Sequence, residues 1–127
     1  MGAFIMKLSN RVRRQLIGMV QEEFNRAYPF LKIEFGNTDH ELLPSLDGRS
    51  FHTEENIREG ARSILEKDIR LSDNMKVSEL ETSLQQLFGS AVQVYRKSGN
   101  FWMETKTTRH WTLKQHNDHG QDIAFGF

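Results

Sequence analysis

Apolar residues recur every three or four positions over residues 9–28, which is the spacing of one face of an α-helix. That face holds Val12, Leu16, Met19, Val20, Phe24 and Ala27. Pro29 is expected to end the helix, because proline cannot continue the backbone hydrogen bonding. The alternating stretch FLKIEF, residues 30–35, then predicts a strand. Residues 36–50 are rich in turn formers and predict a long loop.

Helical spacing returns twice before residue 90. One helix is predicted from a cap at Thr53 to about Lys67. The next is predicted to begin at Ser78, which has capping-box spacing to Glu81, so that each side chain would accept a hydrogen bond from a free backbone N–H. Gly89 lies where a left-handed C-terminal cap is expected, and it marks the end of this helix.

The remaining segments predict strands and one short helix. Alternation at residues 68–72 and 122–127 predicts two strands, and residues 92–106 predict a β-hairpin. Thr112 and Gln115 indicate the start of a last short helix that ends at Gly120.

The predicted elements give an α+β fold in one domain over residues 1–127. We expect a small sheet with a β-hairpin packed against two to three amphipathic helices. The chain also divides into two αβ halves, a helix–strand half at about 9–35 and a helix–strand–helix–hairpin half at about 53–127. The element order of the second half is compatible with a β-grasp-like arrangement, which is an analogy of order alone.

Composition narrows the function classes. Seventeen basic residues balance seventeen acidic ones, so no overall field draws the chain to nucleic acid or to an anionic membrane. The chain has no cysteine, which excludes disulfides, thiolate nucleophiles and cysteine-based metal sites and is typical of a cytoplasmic protein. No apolar run has the length of a membrane span. The sequence therefore predicts no membrane partner and no cofactor.

Two segments resemble a group of small bacterial proteins of Bacteroidetes type. The segments are MKVSELETSLQQLFGSAVQVYRKSGNFWMET, residues 75–105, and WTLKQHNDHG, residues 111–120. The recurring pattern of that group is Met-Lys-Val-x-Glu-Leu, a helix, Phe-Gly, Val-Gln-Val, Arg-Lys-Ser-Gly and then Trp-Thr-Leu. The resemblance implies a compact α+β domain and assigns no activity and no catalytic residue.

The hairpin at 92–106 carries the strongest candidate surface. A turn at Ser98–Gly99, or a four-residue loop over residues 97–100, fixes one strand register. That register pairs Arg96 with Phe101, Tyr95 with Trp102 and Val94 with Met103. An aromatic cross-strand pair of this kind stabilises a hairpin by about 0.2–1 kcal/mol.

Side chains alternate between the faces of a strand, so the hairpin has two chemically different faces. One face is predicted to be core and holds Val92, Val94, Phe101 and Met103. The other face is predicted to lie outside and holds Gln93, Tyr95, Trp102 and Glu104. The first helix or the 36–50 loop would cover this outer face in one interpretation, and a protein partner would cover it in another.

A second hypothesis is weak binding of RNA or single-stranded DNA. Basic residues interleaved with aromatic side chains are typical of surfaces that stack bases and contact phosphates. The candidates are Arg96, Lys97, Lys106 and Arg109. The neutral net charge and the carboxylate of Glu104 beside Trp102 count against this hypothesis.

A third hypothesis is a metal site or an enzyme built on the histidines of residues 110–122. His116 and His119 are three residues apart and can share one helical face, as metal ligands often do. A further ligand would be His110 or Asp122, although the spacing matches no established motif.

The sequence as a whole favours a non-enzymatic protein-interaction module. Its contact surface would be the outer hairpin face, and its partner would be another protein or a second copy in a homodimer.

Overall fold

Four α-helices surround a small sheet in the computed structural model, which describes residues 10–36 and 53–126. The helices are α1 at Asn10–Ala27, α2 at Glu54–Ser63, α3 at Val77–Phe88 and α4 at Leu113–Ala124. A π-helical turn at Ile64–Asp68 follows α2, and a 3₁₀ turn at Lys106–Thr108 precedes α4. The strands are β1 at Leu31–Phe35, β2 at Val92–Ser98 and β3 at Phe101–Glu104. The predicted α+β fold is confirmed. All but the first residue of the predicted 36–50 loop lies outside the described residues.

The strands form one antiparallel sheet in the order β1–β2–β3 within the described part of the chain. In β1 and β2, Leu31 lies opposite Arg96 and Ile33 lies opposite Val94. The connection between β1 and β2 includes α2 and α3. The strand order places β2 at the centre of the sheet, with edges at β1 and at β3.

The core lies on one side of the sheet, which we call the inner face. Helix α1 packs against β1 and α2, and α3 and α4 pack against β2. The largest fully buried apolar side chains are Phe24, Phe88, Leu16, Leu31, Ile33, Ile64, Leu80, Leu84, Leu113 and Val20. The rings of Phe35 and Phe88 meet edge to face at 5.2 Å between centroids, which joins β1 to the end of α3.

The observed helix ends match the predicted ones where a capping residue in the local sequence determines the end. Thr53 accepts a hydrogen bond from the N–H of Asn56 at the start of α2. Thr112 and Gln115 form the capping box of α4. Gly89 has φ +68° and ends α3 in the left-handed conformation.

Two strand predictions are wrong. Residues 68–72 end the π-helical turn and continue as an irregular connection, because the N–H of Leu71 bonds back to the Leu65 carbonyl. Residues 122–124 belong to α4, which continues through Gly120, and residues 125–126 follow it as a turn. Without these strands the β-grasp-like order is not formed in the described residues.

The predicted start of α3 is also wrong. The helix begins at Val77, and the carboxylate that accepts a bond from the first free N–H is that of Glu79, 3.2 Å from the Lys76 nitrogen. A bridge between Lys76 and Thr112 fixes this start, since the N–H of Val77 donates to the Trp111 carbonyl. Tertiary pairing therefore overrides the local preference of serine for a cap position.

Two helical glycines predict opposite responses to alanine. A Cβ at Gly120 would lie 2.8 Å from Phe30 Cβ and 3.1 Å from the Lys97 carbonyl oxygen, whereas a Cβ at Gly18 would meet no atom within 4 Å. Gly120→Ala should lower the free energy of unfolding by about 1–3 kcal/mol through overpacking. Gly18→Ala should raise it by about 0.5–1 kcal/mol through helix propensity. Urea denaturation checks both values, and a shift of the same sign in both variants would contradict the packing described.

Candidate functional site

The hairpin turn consists of Gly99 and Asn100, one residue later than predicted. Gly99 has φ +61°, which supplies the positive first position of a type II′ turn. The observed register pairs Ser98 with Phe101, Lys97 with Trp102, Arg96 with Met103 and Tyr95 with Glu104. The predicted register is therefore wrong. Because the error moves each partner by two residues, every side chain still lies on the face predicted for it.

The predicted core face of the hairpin is only half buried. Val92 and Val94 are buried, but Phe101 is 73 % exposed and Met103 is 46 % exposed. The prediction that these two residues belong to the core is wrong. The helices pack over β2, and β3 is an edge strand, so its inner-face side chains remain in contact with solvent.

The opposite side of the sheet, which we call the outer face, carries polar and aromatic side chains. Its members are Lys32, Glu34, Gln93, Tyr95, Lys97, Trp102 and Glu104. Each is half-buried or exposed, and none is among the fully buried residues. All four predicted interface residues lie on this face. Tyr95 and Trp102 lie diagonally to one another rather than directly opposite.

Two ammonium groups lie against the Trp102 ring. The Lys32 Nζ atom is 4.9 Å from the centroid of Trp102 and 5.5 Å from that of Tyr95, and Lys97 Nζ is 5.5 Å from the Trp102 centroid. Lys32 also pairs with Glu34 at 3.2 Å. Cation–π contacts at such distances contribute about 0.5–1 kcal/mol at exposed sites. They hold the indole in place on the outer face.

A shallow groove of about 510 Å³ separates α1 from the outer face. One wall is Gly18, Gln21, Glu22 and Asn25, and the other is Lys32, Ile33, Glu34 and Trp102. Helix α1 therefore borders Trp102 without burying it, and this corrects the interpretation in which the first helix covers the outer face. The other cover predicted for this face, the 36–50 loop, lies outside the described residues apart from Gly36.

The four basic residues of the nucleic-acid hypothesis do not form one surface. Arg96 lies on the inner face and bonds to His116, while Lys97 lies on the outer face. Lys106 pairs with Glu104 at 3.5 Å. The remaining member, Arg109, pairs with the carboxylate of Glu81 at 2.9 Å.

The histidines do not converge on a metal position. His116 is buried, whereas His110, His119 and Asp122 are exposed. Within residues 10–36 and 53–126, no group of three or more histidine, aspartate or glutamate side chains is arranged to hold a metal ion. The predicted metal site is therefore wrong for the described residues, because both ring nitrogens of His116 are already bound.

His116 is a structural residue of α4. Its Nε2 atom is 2.8 Å from the Thr108 carbonyl oxygen, which can only accept, so Nε2 carries the proton. Its Nδ1 atom then accepts from Arg96 Nη1 at 3.2 Å. Burial lowers the pKa of His116, and the positive charge of Arg96 lowers it further, although the bond to Thr108 opposes both effects. The neutral imidazole is the form that fits this site.

Sequence reasoning missed Glu81 as a buried carboxylate. Its Oε2 atom accepts from the Val94 N–H at 2.9 Å, and its Oε1 atom accepts from Arg109 Nε at 2.9 Å. The Thr105 hydroxyl donates to the Val94 carbonyl at 2.8 Å. The last residue of β3 is Glu104, and no β3 residue bonds to the backbone of Val94. The side chains of Glu81 and Thr105 bond to the Val94 N–H and C=O instead. The sequence signal was present in the second glutamate of SELE, but it matched a helix cap equally well.

Comparison of the chain with protein-family models, with curated proteins and with solved structures found no match. Among the helices in the described residues, none has both the length and the apolar character needed to cross a bilayer.

Proposed function

We propose that this protein is a protein-interaction module whose contact surface is the outer face of the sheet. The observation that carries the proposal is the placement of Trp102. This large aromatic side chain is held on a solvent-accessible sheet face, between two lysines and beside a groove. Tryptophan is enriched among the residues that contribute most to protein–protein binding, because it buries much apolar area with few rotatable bonds.

The groove supports the proposal independently. Gly18 lies in the interior of α1, where glycine costs about 1 kcal/mol relative to alanine. Among the described residues, no atom outside the backbone of α1 itself packs close enough to its position to exclude a methyl group. The glycine therefore has no packing role in the described fold, and its effect is to widen the groove beside Trp102. The open groove keeps the Trp102 side chain accessible from the side of α1.

The partner in this proposal is a second copy of the chain. The outer face has both signs of charge: Lys32 pairs with Glu34 on β1, and Lys97 and Glu104 lie on the neighbouring strands β2 and β3. A surface of this kind can be complementary to itself when two copies meet about a twofold axis. The location in the proposal is the cytoplasm, in agreement with the cysteine-free sequence.

Sedimentation equilibrium over a range of concentrations tests this function. We expect the chain to self-associate and Trp102→Ala to weaken association at least about tenfold, which corresponds to about 1.4 kcal/mol. Phe125→Ala is the matched control, because Phe125 is an aromatic residue that is 64 % exposed and follows α4 rather than lying on the sheet. A chain that stays monomeric at every concentration, or equal effects of the two substitutions, would contradict the proposal.

A further inference from the structure

We infer that two copies associate through their β3 edges, which pair in antiparallel orientation about a twofold axis at Met103. The result is one continuous sheet of six strands, three from each copy. This inference rests on the proposed function and specifies how the second copy binds.

The direction of the backbone groups on β3 follows from the observed pairing. The N–H of Lys97 donates to the Phe30 carbonyl, so Lys97 and Tyr95 direct their backbone groups toward β1. Ser98 and Arg96 then direct theirs toward Phe101 and Met103 on β3. The intervening β3 residues, Trp102 and Glu104, therefore direct their N–H and C=O groups away from the sheet.

The other edge of the sheet is already occupied. Asn25 Nδ2 donates to the Leu31 carbonyl at 2.8 Å, and Gln21 Nε2 donates to the Ile33 carbonyl at 2.9 Å. These amides from α1 satisfy the outward carbonyls of β1 and block a further strand. Among the strands of residues 10–36 and 53–126, β3 is therefore the one whose edge is available for strand addition.

Backbone pairing and charge select the register of the two β3 strands. With the axis at Met103, Trp102 lies opposite Glu104 of the second copy, and all the outward groups of both residues are paired. The incoming Glu104 carboxylate then approaches the indole that Lys32 and Lys97 flank. An axis at Glu104 would place two carboxylates opposite each other, which is unfavourable. An axis at Trp102 would leave Glu104 opposite the turn residue Asn100.

The exposed apolar side chains of β3 fit the same register. Met103 would lie directly beside Met103 of the second copy, and Phe101 would be its diagonal neighbour on the inner face. Their exposure of 46 % and 73 % would fall on association. An edge of four residues buries less area than a standard interface, so we expect a weak, concentration-dependent dimer.

Cysteine cross-linking tests the register, because the chain has no cysteine of its own. In the proposed dimer the two Met103 Cα atoms form a non-hydrogen-bonded pair about 4.5 Å apart, which is within disulfide range. The two Phe101 Cα atoms are offset by four residues, about 14 Å. With oxidised glutathione as oxidant, we expect Met103→Cys to form a covalent dimer in high yield and the more exposed Phe101→Cys to remain largely monomeric.

The outcomes separate this inference from the function on which it rests. Equal yields for the two cysteine variants, or a higher yield for Phe101→Cys, would overturn the register. If Trp102→Ala weakens association but Met103→Cys does not cross-link, the function stands and the β3 pairing fails. If the unmodified chain does not associate, both fail. Hydrogen exchange of the unmodified chain gives a second measurement, in which the Trp102 and Glu104 amides should become protected as concentration rises.

Discussion

Replacing Glu81 with alanine is expected to lower the free energy of unfolding by about 2–4 kcal/mol. The substitution leaves the Val94 N–H without its acceptor in the protein interior, and it removes the partner of Arg109. A buried donor without a partner loses its full hydration, and the deleted side chain leaves a cavity. Urea denaturation followed by circular dichroism, extrapolated linearly to water, measures the loss.

The matched control is Asp118→Ala. Asp118 also accepts from a basic side chain, Lys114, at 2.7 Å, but both side chains are about half exposed. Exposed pairs of this i,i+4 type are screened by solvent and contribute little to stability, so we expect a much smaller loss than for Glu81→Ala. Equal losses for Glu81→Ala and Asp118→Ala would show that the Glu81 carboxylate does not complete the hydrogen bonding of β2.

Replacing His116 with alanine is expected to cost about 2–4 kcal/mol near neutral pH and to reduce the acid sensitivity of the fold. The side chain is fully buried, and the substitution leaves the Thr108 carbonyl and Arg96 without this partner. The pKa of His116 is lowered in the folded chain, so the unfolded chain binds the proton first as the pH falls.

The sign of the pH effect follows from this difference. The stabilisation from neutral His116 is complete above the unfolded pKa of about 6.5, and it is lost as the pH falls through the lowered folded pKa. The slope is at most about 1.4 kcal/mol per pH unit. The difference between the unsubstituted chain and His116→Ala should therefore shrink between about pH 7 and about pH 5. His110→Ala, at an exposed position, should keep most of the acid sensitivity of the unsubstituted chain, because the charge of His110 is the smallest of the causes that lower the pKa of His116.

Denaturation of the three proteins across this range checks the prediction. A difference between the unsubstituted chain and His116→Ala that stays constant with pH would exclude a buried neutral imidazole. A change of the same size in His110→Ala would assign the acid sensitivity to histidines in general.

The sequence predicted best where local chemistry determines structure. The caps at Thr53 and Thr112 and the left-handed end at Gly89 involve residues within one or two helical turns, and the apolar stripe of α1 follows from a spacing of three or four residues. These contacts form wherever the segment becomes helical. They could therefore be predicted without knowledge of the tertiary fold.

The hairpin shows where such prediction stops. The alternation of side chains along a strand assigns each side chain to one face of the hairpin. It does not show that β3 is an edge strand. Val94 is buried and Phe101 is exposed on the same face of the sheet, because α3 and α4 pack over β2 and leave β3 at the edge. The turn position depended on which residue adopts positive φ, and Gly99 is compatible with either of two adjacent turns.

The polar residues of the interior were the least predictable. Glu81 and His116 have ordinary surface residue types. The partners of Glu81 lie 13 and 28 residues away along the chain, and those of His116 lie 8 and 20 residues away. Only the packing of α3 and α4 on β2 brings these groups together. Because of the same packing, Arg96 and His116 bond to each other and do not lie on the nucleic-acid surface or in the metal site predicted for them.

Sedimentation equilibrium of the unsubstituted chain, Trp102→Ala and Phe125→Ala at matched concentrations tests most directly whether the outer face around Trp102 is a protein contact surface. We expect a reversible dimer that Trp102→Ala weakens at least about tenfold and Phe125→Ala leaves unchanged. A single monomeric species in all three samples at every concentration would contradict it.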